Sequence, residues 1–326
     1  MAAFSDPSFD FKGYLENRPR YPDQLYNAVL SYHKGQRDTV LDLGCGPGLS
    51  LFPFAYQFKN LIGTDPSEGM ISEATGAWEA WKIIQENPKE IKAHHAEFML
   101  LGAEDLKDIK DESIDLITAA TAAHWFDYPK LWPELARVLK SNGSVAFWTY
   151  GSNYLPQHPD LAPMMMEFMN SQSKSLGPYW PQPGRSILES LLADIPFPFE
   201  IQGDQSSTAP WDEKSATRIA HKLERTGIPD LAWARGEAEE ETFRMEQVMT
   251  FETLNGYFHT SSASNRYFKA HPELKNEKPD MIDRHSTRLR QTVLQDRAKG
   301  LGNKEGLDDD HVRVAWPLGL MMIRKN

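Results

Sequence analysis

The run Val40-Leu41-Asp42-Leu43-Gly44-Cys45-Gly46-Pro47-Gly48 constrains this chain more than any other stretch. A short apolar run ends in three glycines at alternate positions, with an aspartate just before them. An apolar run of this kind reads as a buried strand. The glycines let the turn that follows bring its backbone close to a ligand. Asp65 follows Gly44 by 21 residues and ends a second apolar run, Leu61-Ile62-Gly63-Thr64. The unit is a strand, a tight turn, a helix and a second strand tipped by a carboxylate. A carboxylate in that place takes both hydroxyls of a ribose.

The glycine spacing decides between nucleosides. Dinucleotide sites use G-x-G-x-x-G, whose turn aims a helix N-terminus at a pyrophosphate. Here the third glycine comes one residue early, and Pro47 lacks the N–H that a phosphate cradle would use. Asp42 repels phosphate and attracts an ammonium. A ligand with a ribose, no phosphate and a cationic end fits, and S-adenosylmethionine has those features. Asp42, Gly44, Gly46 and Gly48 match the D/E-x-G-x-G-x-G motif at every position, so the chain resembles the class I S-adenosylmethionine-dependent methyltransferases. The candidate cofactor residues here are Asp42, Gly44, Cys45, Gly46 and Asp65, with Pro66 and Met70 just after the second strand.

Two further segments agree. Phe98 to Leu101 reads as a third strand running into Gly102-Ala103-Glu104-Asp105. The resemblance implies that Ala103 and Glu104 lie near the adenine amino group. Ser113 to Thr118 reads as a fourth strand, followed by small residues at Ala119-Ala120-Thr121-Ala122-Ala123. Small residues at a strand's carboxyl end admit a ligand, and Ala119 joins the cofactor candidates.

Along the chain, residues 1–35 read as an N-terminal arm and helix. Residues 36–206 read as the cofactor-binding core, of which 38–150 alternate strands and helices as a doubly wound parallel sheet requires, the pattern changing after Tyr150. Leu131 to Leu139 reads as a helix, Ser144 to Thr149 as a fifth strand and Pro198 to Gln202 as a sixth. Ser72 to Lys92 suggests an extended helix. Residues 209–260 are mostly helical in pattern, so residues 207–305 read as a helical insertion, or lid, between the last two strands. Residues 306–326 hold the final strand, from His311 to Ile323. The expected fold is α/β: a doubly wound, seven-stranded, Rossmann-like methyltransferase sheet.

Composition narrows the partners. The 326 residues carry a formal net charge of −11 and no long Lys/Arg run, which argues against nucleic acid as substrate. Cys45 is the single cysteine, so no internal disulfide and no cysteine metal site can form. No stretch approaches the roughly 18 apolar residues of a membrane span. The polar, aromatic start does not read as a signal peptide, and a cytoplasmic enzyme is the expectation. Oligomeric state leaves no trace in the sequence.

The narrower resemblance is to the small-molecule branch typified by trans-aconitate methyltransferase. Three segments carry it: Tyr14 to Pro22 as Y-x-x-x-R-P-x-Y-P, His124-Trp125-Phe126-Asp127, and Tyr257 to Ser262 as Y-x-x-T-x-S. The family often has Trp where this chain has Ser261. The resemblance implies that Tyr14 lies across the cofactor and that Arg18 stands with it among the cofactor-binding residues. Arg18 has the fork geometry to hold a carboxylate. His124 follows the fourth strand where the methyl should sit, and its ordinary pKa suits a general base. Trp125, Trp180, Tyr257 and Arg266 are candidates for the acceptor side. The histidines show no metal-ligand spacing, so no metal is expected. Methyl transfer to a carboxylate or hydroxyl oxygen of a small molecule is the resulting expectation. The alternative is a protein that binds S-adenosylmethionine without transferring methyl, in regulation or in rearranging a natural product.

Overall fold

A computed structural model describes residues 13, 17–172, 175–201, 210–220, 244–301 and 307–326. Its first half contains α1 (Asp23–Tyr32), β1 (Thr39–Leu43), β2 (Asn60–Asp65), α2 (Glu68–Ile83), β3 (His95–Leu100), β4 (Ile114–Ala120), α3 (Tyr128–Val138) and β5 (Leu139–Tyr150). Next come α4 (Ala162–Asn170), α5 (Gly184–Glu189), β6 (Trp211–Ala220), β7 (Arg244–Thr250), α6 (Phe251–His259), α7 (Ser262–Ala270), α8 (Met281–Ala298) and β8 (His311–Lys325).

The strands form one mixed sheet in the order β3-β2-β1-β4-β5-β8-β6, with β7 also paired to β8. β1 runs parallel to β2 and β4, with Leu43 beside Thr64 and Asp42 beside Thr118. The order reverses between β1 and β4, and ligands settle at the carboxyl ends of strands at such a switch point. β4 is buried along all but its last residue, as a strand covered on both faces must be. On one face α3 lays Leu131, Trp132, Leu135 and Val138 against the sheet. These recur at helical spacing, and fully burying each such side chain is worth about 1.5–3 kcal/mol. On the other face Leu25 and Val29 of α1 pack with Phe52, Phe54 and Trp78.

β8 belongs to two cores. Its carboxyl half lies between β5 and β6, antiparallel to both. Its amino half pairs with β7 and brings Val312, Val314 and Trp316 into a second core with Phe258 of α6 and Leu289 of α8. That second core roofs the carboxyl ends of the central strands. β6 ends with Ala220 beside Gly319, and β7 begins with Arg244 beside Pro317. Since β5 and Tyr154 hold the opposite edge of β8, β6 and β7 follow one another along a single edge.

Three expectations need correction. Pro198–Glu200 is a 3-10 turn rather than a sixth strand. Glu200 closes it by accepting a 2.7 Å hydrogen bond from the Phe197 amide, and the Phe197 and Phe199 rings stack 5.5 Å apart. Residues 211–220 and 244–250 are strands rather than helix, because pairing with β8 outweighs their helix-compatible charged composition. Among the described residues the sheet accordingly has eight strands where seven were expected, and the described helix of this stretch starts at Phe251. The long segment after β2 is helical only to Ile83, and a proline-initiated turn follows at Pro88–Glu90.

Candidate functional site

The glycine turn adopts the backbone its sequence implies. Gly44, Gly46 and Gly48 have φ of 62°, 54° and 87°. A Cβ on Gly44 would lie 2.7 Å from Ala122 Cβ, so the turn after β1 and the segment after β4 touch only because this residue has no side chain. Asp65 stands at the tip of β2. Its Oδ2 accepts from the Gly46 amide at 3.0 Å and its Oδ1 from the Ser67 amide at 2.8 Å. A carboxylate can accept about four hydrogen bonds, so capacity remains for ribose hydroxyls. Burial raises the Asp65 pKa, and the two amides oppose that shift. Ser67 also caps α2 by accepting from the Met70 amide at 3.4 Å.

A cleft of about 700 Å³ opens over this turn. Gly44, Cys45 and Gly46 line it, as do Asp65, Pro66 and Met70, then Ala103 and Glu104, and finally Trp125 and Arg18. Glu104 is held there by the Asp127 amide, 2.8 Å from its Oε1. The loop carrying Ala103 and Glu104 is pinned from below. Glu134 accepts from the Leu106 amide at 3.1 Å, while Arg137 donates to the Leu106 and Ile109 carbonyls at 2.9 Å each.

Two cofactor candidates stand elsewhere. Asp42 is fully buried behind the turn, where its Oδ2 accepts from Ser50 Oγ at 2.8 Å and its Oδ1 from Thr118 Oγ1 at 2.7 Å. Burial pushes its pKa up to about 6 against those two hydroxyls. It braces β1 against β4 and the turn, and does not reach the cleft wall. Ala119 points into the core under α3, because side chains alternate along β4, and Ala120, Thr121 and Ala122 face the cleft in its stead. Tyr14 lies outside the described residues.

A second, smaller chamber of about 80 Å³ adjoins the cleft. Arg18, Thr121, Trp125 and Tyr150 line both spaces. Arg18 donates to Tyr150 Oη and to the Thr260 carbonyl, each at 2.8 Å, and its guanidinium lies 5.3 Å from the Tyr257 ring centroid. Nearby, the Tyr21 hydroxyl meets Thr121 Oγ1 at 2.7 Å. The segment 18–21 therefore ties α6 to the ends of β4 and β5 across the boundary of the two spaces. Trp180 and Tyr257 line the chamber; Arg266, on α7, lines neither space.

His124 lines the chamber, and its Nδ1 is buried with no hydrogen-bond partner. Burial, with Arg185 adding to it, holds its pKa down to about 3. The imidazole is neutral at physiological pH, and its basicity is far below that of an ordinary histidine. Arg185 itself gave no sequence signal beyond the adjacent Gly184, whose missing Cβ leaves room for His124 Cδ2 at 3.1 Å. Tyr150 and Thr121 were also missed, although one ends β5 and the other follows β4 at the sheet's carboxyl edge.

Among the described residues one group has metal-ligand character: His259, Asp280 and Asp283. Their atoms are engaged with one another and with Lys278, since His259 Nε2 is 2.9 Å from Asp280 and Lys278 Nζ is 3.2 Å from Asp283. Asp280 Oδ1 also accepts from the Ile282 and Asp283 amides at 2.8 and 2.9 Å, which caps α8.

Residues 41–147 match a family model described as a methyltransferase domain. A protein described as a probable S-adenosylmethionine-dependent methyltransferase, CRG1 of Saccharomyces cerevisiae, is 29% identical over 65% of this chain and 74% of its own length. A Dictyostelium discoideum protein bearing a methyltransferase name is 33% identical over 58% of this chain, a match that spans 64% of that protein. A methyltransferase structure from Anaeromyxobacter dehalogenans superposes with a TM-score of 0.60 at 21% identity, covering 94% of this chain and 97% of its own, which is a likeness of fold. Residues 41–147 thus match a methyltransferase domain, set on a Rossmann-like α/β sheet, and these likenesses support class I S-adenosylmethionine-dependent methyl transfer with S-adenosylmethionine as the cofactor. Among the described residues no helix is long and apolar enough to cross a membrane.

Proposed function

We propose that this S-adenosylmethionine-dependent methyltransferase domain methylates an oxygen of a small-molecule acceptor, and that the oxygen belongs to a carboxylate. One observation carries the reading: the cofactor cleft continues into a chamber of only about 80 Å³, and the boundary between them is lined by Arg18, Thr121, Trp125 and Tyr150. A chamber of that size, roofed by α6 and Trp180, suits a small molecule and not a macromolecular chain. The cofactor, when bound, supplies a methyl on a strongly electrophilic sulfonium. The remaining task of the protein is to align the acceptor oxygen and exclude water.

The state of His124 separates the two oxygen classes. A hydroxyl needs a base to take its proton, and a histidine held near pKa 3 is a poor one. A carboxylate is already ionised. Its oxygen forms the new bond to carbon, the carbon–sulfur pair stays on sulfur, and no proton moves. The methyl ester and S-adenosylhomocysteine are the products. Arg18 is the cation at the boundary, held by Tyr150 and Thr260 where an acceptor carboxylate would face the methyl.

The three segments that resemble the trans-aconitate methyltransferase branch support this reading by their convergence: Arg18, His124 to Trp125, and Tyr257 to Ser262 meet around one chamber. The proposed organisation is 1–35 as an N-terminal arm and helix, 36–206 as the cofactor-binding core, 207–305 as an insertion that bears the lid and also supplies β6 and β7, and 306–326 as the final strand.

The test is incubation of the purified chain with methyl-labelled cofactor and a metabolite extract. Label in an alkali-labile methyl ester supports a carboxylate acceptor. Label in an alkali-stable ether points to a hydroxyl. Tight cofactor binding with no transfer to any metabolite supports the binding-protein alternative.

A further inference from the structure

The small chamber collects unpartnered polar atoms. Asn153 Nδ2, Arg185 Nε and His124 Nδ1 are each buried without a hydrogen-bond partner, and all three residues line this one space. Asn153 and Arg185 are 4% and 8% exposed. Leaving a buried donor unpaired is costly, and more so when the group is charged. Three such atoms around one cavity mark a place where something else completes the bonding.

Arg185 is held for that purpose by the rest of its surroundings. Its Nη2 donates to Ser152 Oγ at 2.7 Å and lies 2.8 Å from Glu189 Oε1, and Ser152 Oγ donates to the same Glu189 oxygen at 2.9 Å. The guanidinium lies 4.1 Å from the Trp180 ring centroid. One side of the fork is thus anchored and its charge is offset by Glu189, while Nε stays open. Asn153 follows β5 by three residues and His124 follows β4 by four, so the donors come from three separate segments. A planar, oxygen-bearing group matches this set: two donors from fixed side chains, and an imidazole nitrogen that donates or accepts according to tautomer.

We propose that the chamber is a recognition subsite for a second oxygen-bearing group of the acceptor, a carboxylate or a carbonyl distinct from the group that is methylated, and that Arg185 and Asn153 are its specificity-determining donors. The inference rests on the reading of a small-molecule carboxylate acceptor given above. It adds that the acceptor is bifunctional, with the second oxygen function set deeper than the reacting one. An acceptor without that function leaves the three atoms unpaired and is discriminated against, as sites built on buried hydrogen bonds reject analogues that lack the partner.

The full chain loaded with S-adenosylhomocysteine is titrated with three probes of matched length, followed by ligand-observed nuclear magnetic resonance. Glutarate carries a second carboxylate, its monoamide a second carbonyl, and valerate neither. The expected result is that glutarate, the monoamide or both bind at least about tenfold more tightly than valerate. Glutarate leading the monoamide identifies a carboxylate; parity identifies a neutral carbonyl. Arg185→Gln should abolish the preference. Because that change leaves Glu189 without its cation and risks the fold, Asn153→Leu, which breaks no hydrogen bond described above, is the second variant and should lower the preference severalfold. Affinity for S-adenosylhomocysteine should stay within about twofold in both. Equal binding of all three probes, no binding of any, or an undiminished preference in a folded Asn153→Leu protein overturns the inference. Failure of the wild-type chain to bind S-adenosylhomocysteine would instead break the cofactor assignment, and ether-linked label in the transfer experiment would break the carboxylate reading.

Discussion

The cofactor cleft and the chamber behind it share four wall residues, yet they are built in opposite ways. The cleft is made chiefly by short continuous pieces of chain after β1, β2, β3 and β4, tied together by bonds such as Asp65 to Ser67 two residues on and Asp65 to Gly46 across the turn. The chamber is made by residues far apart in sequence, from Arg18 to Ser262, joined by side-chain bonds such as Arg18 to Tyr150. The first construction is specified by strand-turn-strand chemistry and tolerates little change. The second can be re-lined residue by residue while the sheet stays as it is. That contrast separates binding the methyl donor from choosing the acceptor.

The largest expected effect tests the cleft. Asp65→Ala removes the acceptor for the Gly46 and Ser67 amides and the proposed ribose contact together. A loss of about 100-fold or more in S-adenosylhomocysteine affinity is expected by calorimetry, from about 3 kcal/mol of charged hydrogen bonding. Unchanged affinity would remove the carboxylate from the ribose site.

Arg18→Ala probes the boundary. It breaks the bonds to Tyr150 and Thr260, so turnover on the identified acceptor should fall by roughly 10- to 100-fold. Affinity for S-adenosylhomocysteine should fall by no more than about threefold. Equal losses in both would make Arg18 a cofactor residue and blur the division between the two spaces.

His124→Ala is expected to be milder. With the imidazole held near pKa 3, kcat/KM of the wild type should show no ionisation from this residue between about pH 5 and 8, and the variant should keep turnover within about fivefold. A wild-type limb near pH 6 that vanishes in the variant would restore the base role and favour a hydroxyl acceptor.

The smallest effect concerns Asp42. Its folded pKa of about 6 lies above its unfolded value. The folded state therefore takes up a proton first as pH falls, and this residue's contribution to stability is largest below the unfolded pKa and is lost as pH rises through about 6. Relative to Asp42→Asn, the wild type should gain on the order of 1 kcal/mol in urea unfolding between pH 7 and pH 5. Cofactor affinity should change far less than in Asp65→Ala, since Asp42 is not on the cleft wall.

Legibility followed the same division. The glycine turn, Asp65, and the Ala103–Glu104 loop were readable because strand, turn and carboxylate lie within short windows, where period and spacing carry the information. Ala119 was misassigned by one residue, and in a strand one residue exchanges the ligand face for the core face. Asp42 was read as a ligand-facing charge, whereas its two hydroxyl donors, Ser50 and Thr118, sit where no local pattern would link them. β6 and β7 escaped notice because their sequences carry charges at helix-compatible intervals and become strands only through β8. Arg185 was overlooked although Glu189 is its i,i+4 partner on α5 and Trp180 lies five residues before it, because the remaining anchor, Ser152, comes from the distant segment after β5.

The meeting of β6 and β7 on one edge has a bearing on how such a chain can change. Ala220 faces Gly319 and Arg244 faces Pro317, so a single amino acid opposite Leu318 would splice the two into one uninterrupted ribbon with every pairing kept in phase. Whatever is grafted between those two points, long or short, leaves the sheet's wiring untouched. The pairing of β6, β7 and β8 thus sets no limit of its own on the length of the chain between Ala220 and Arg244.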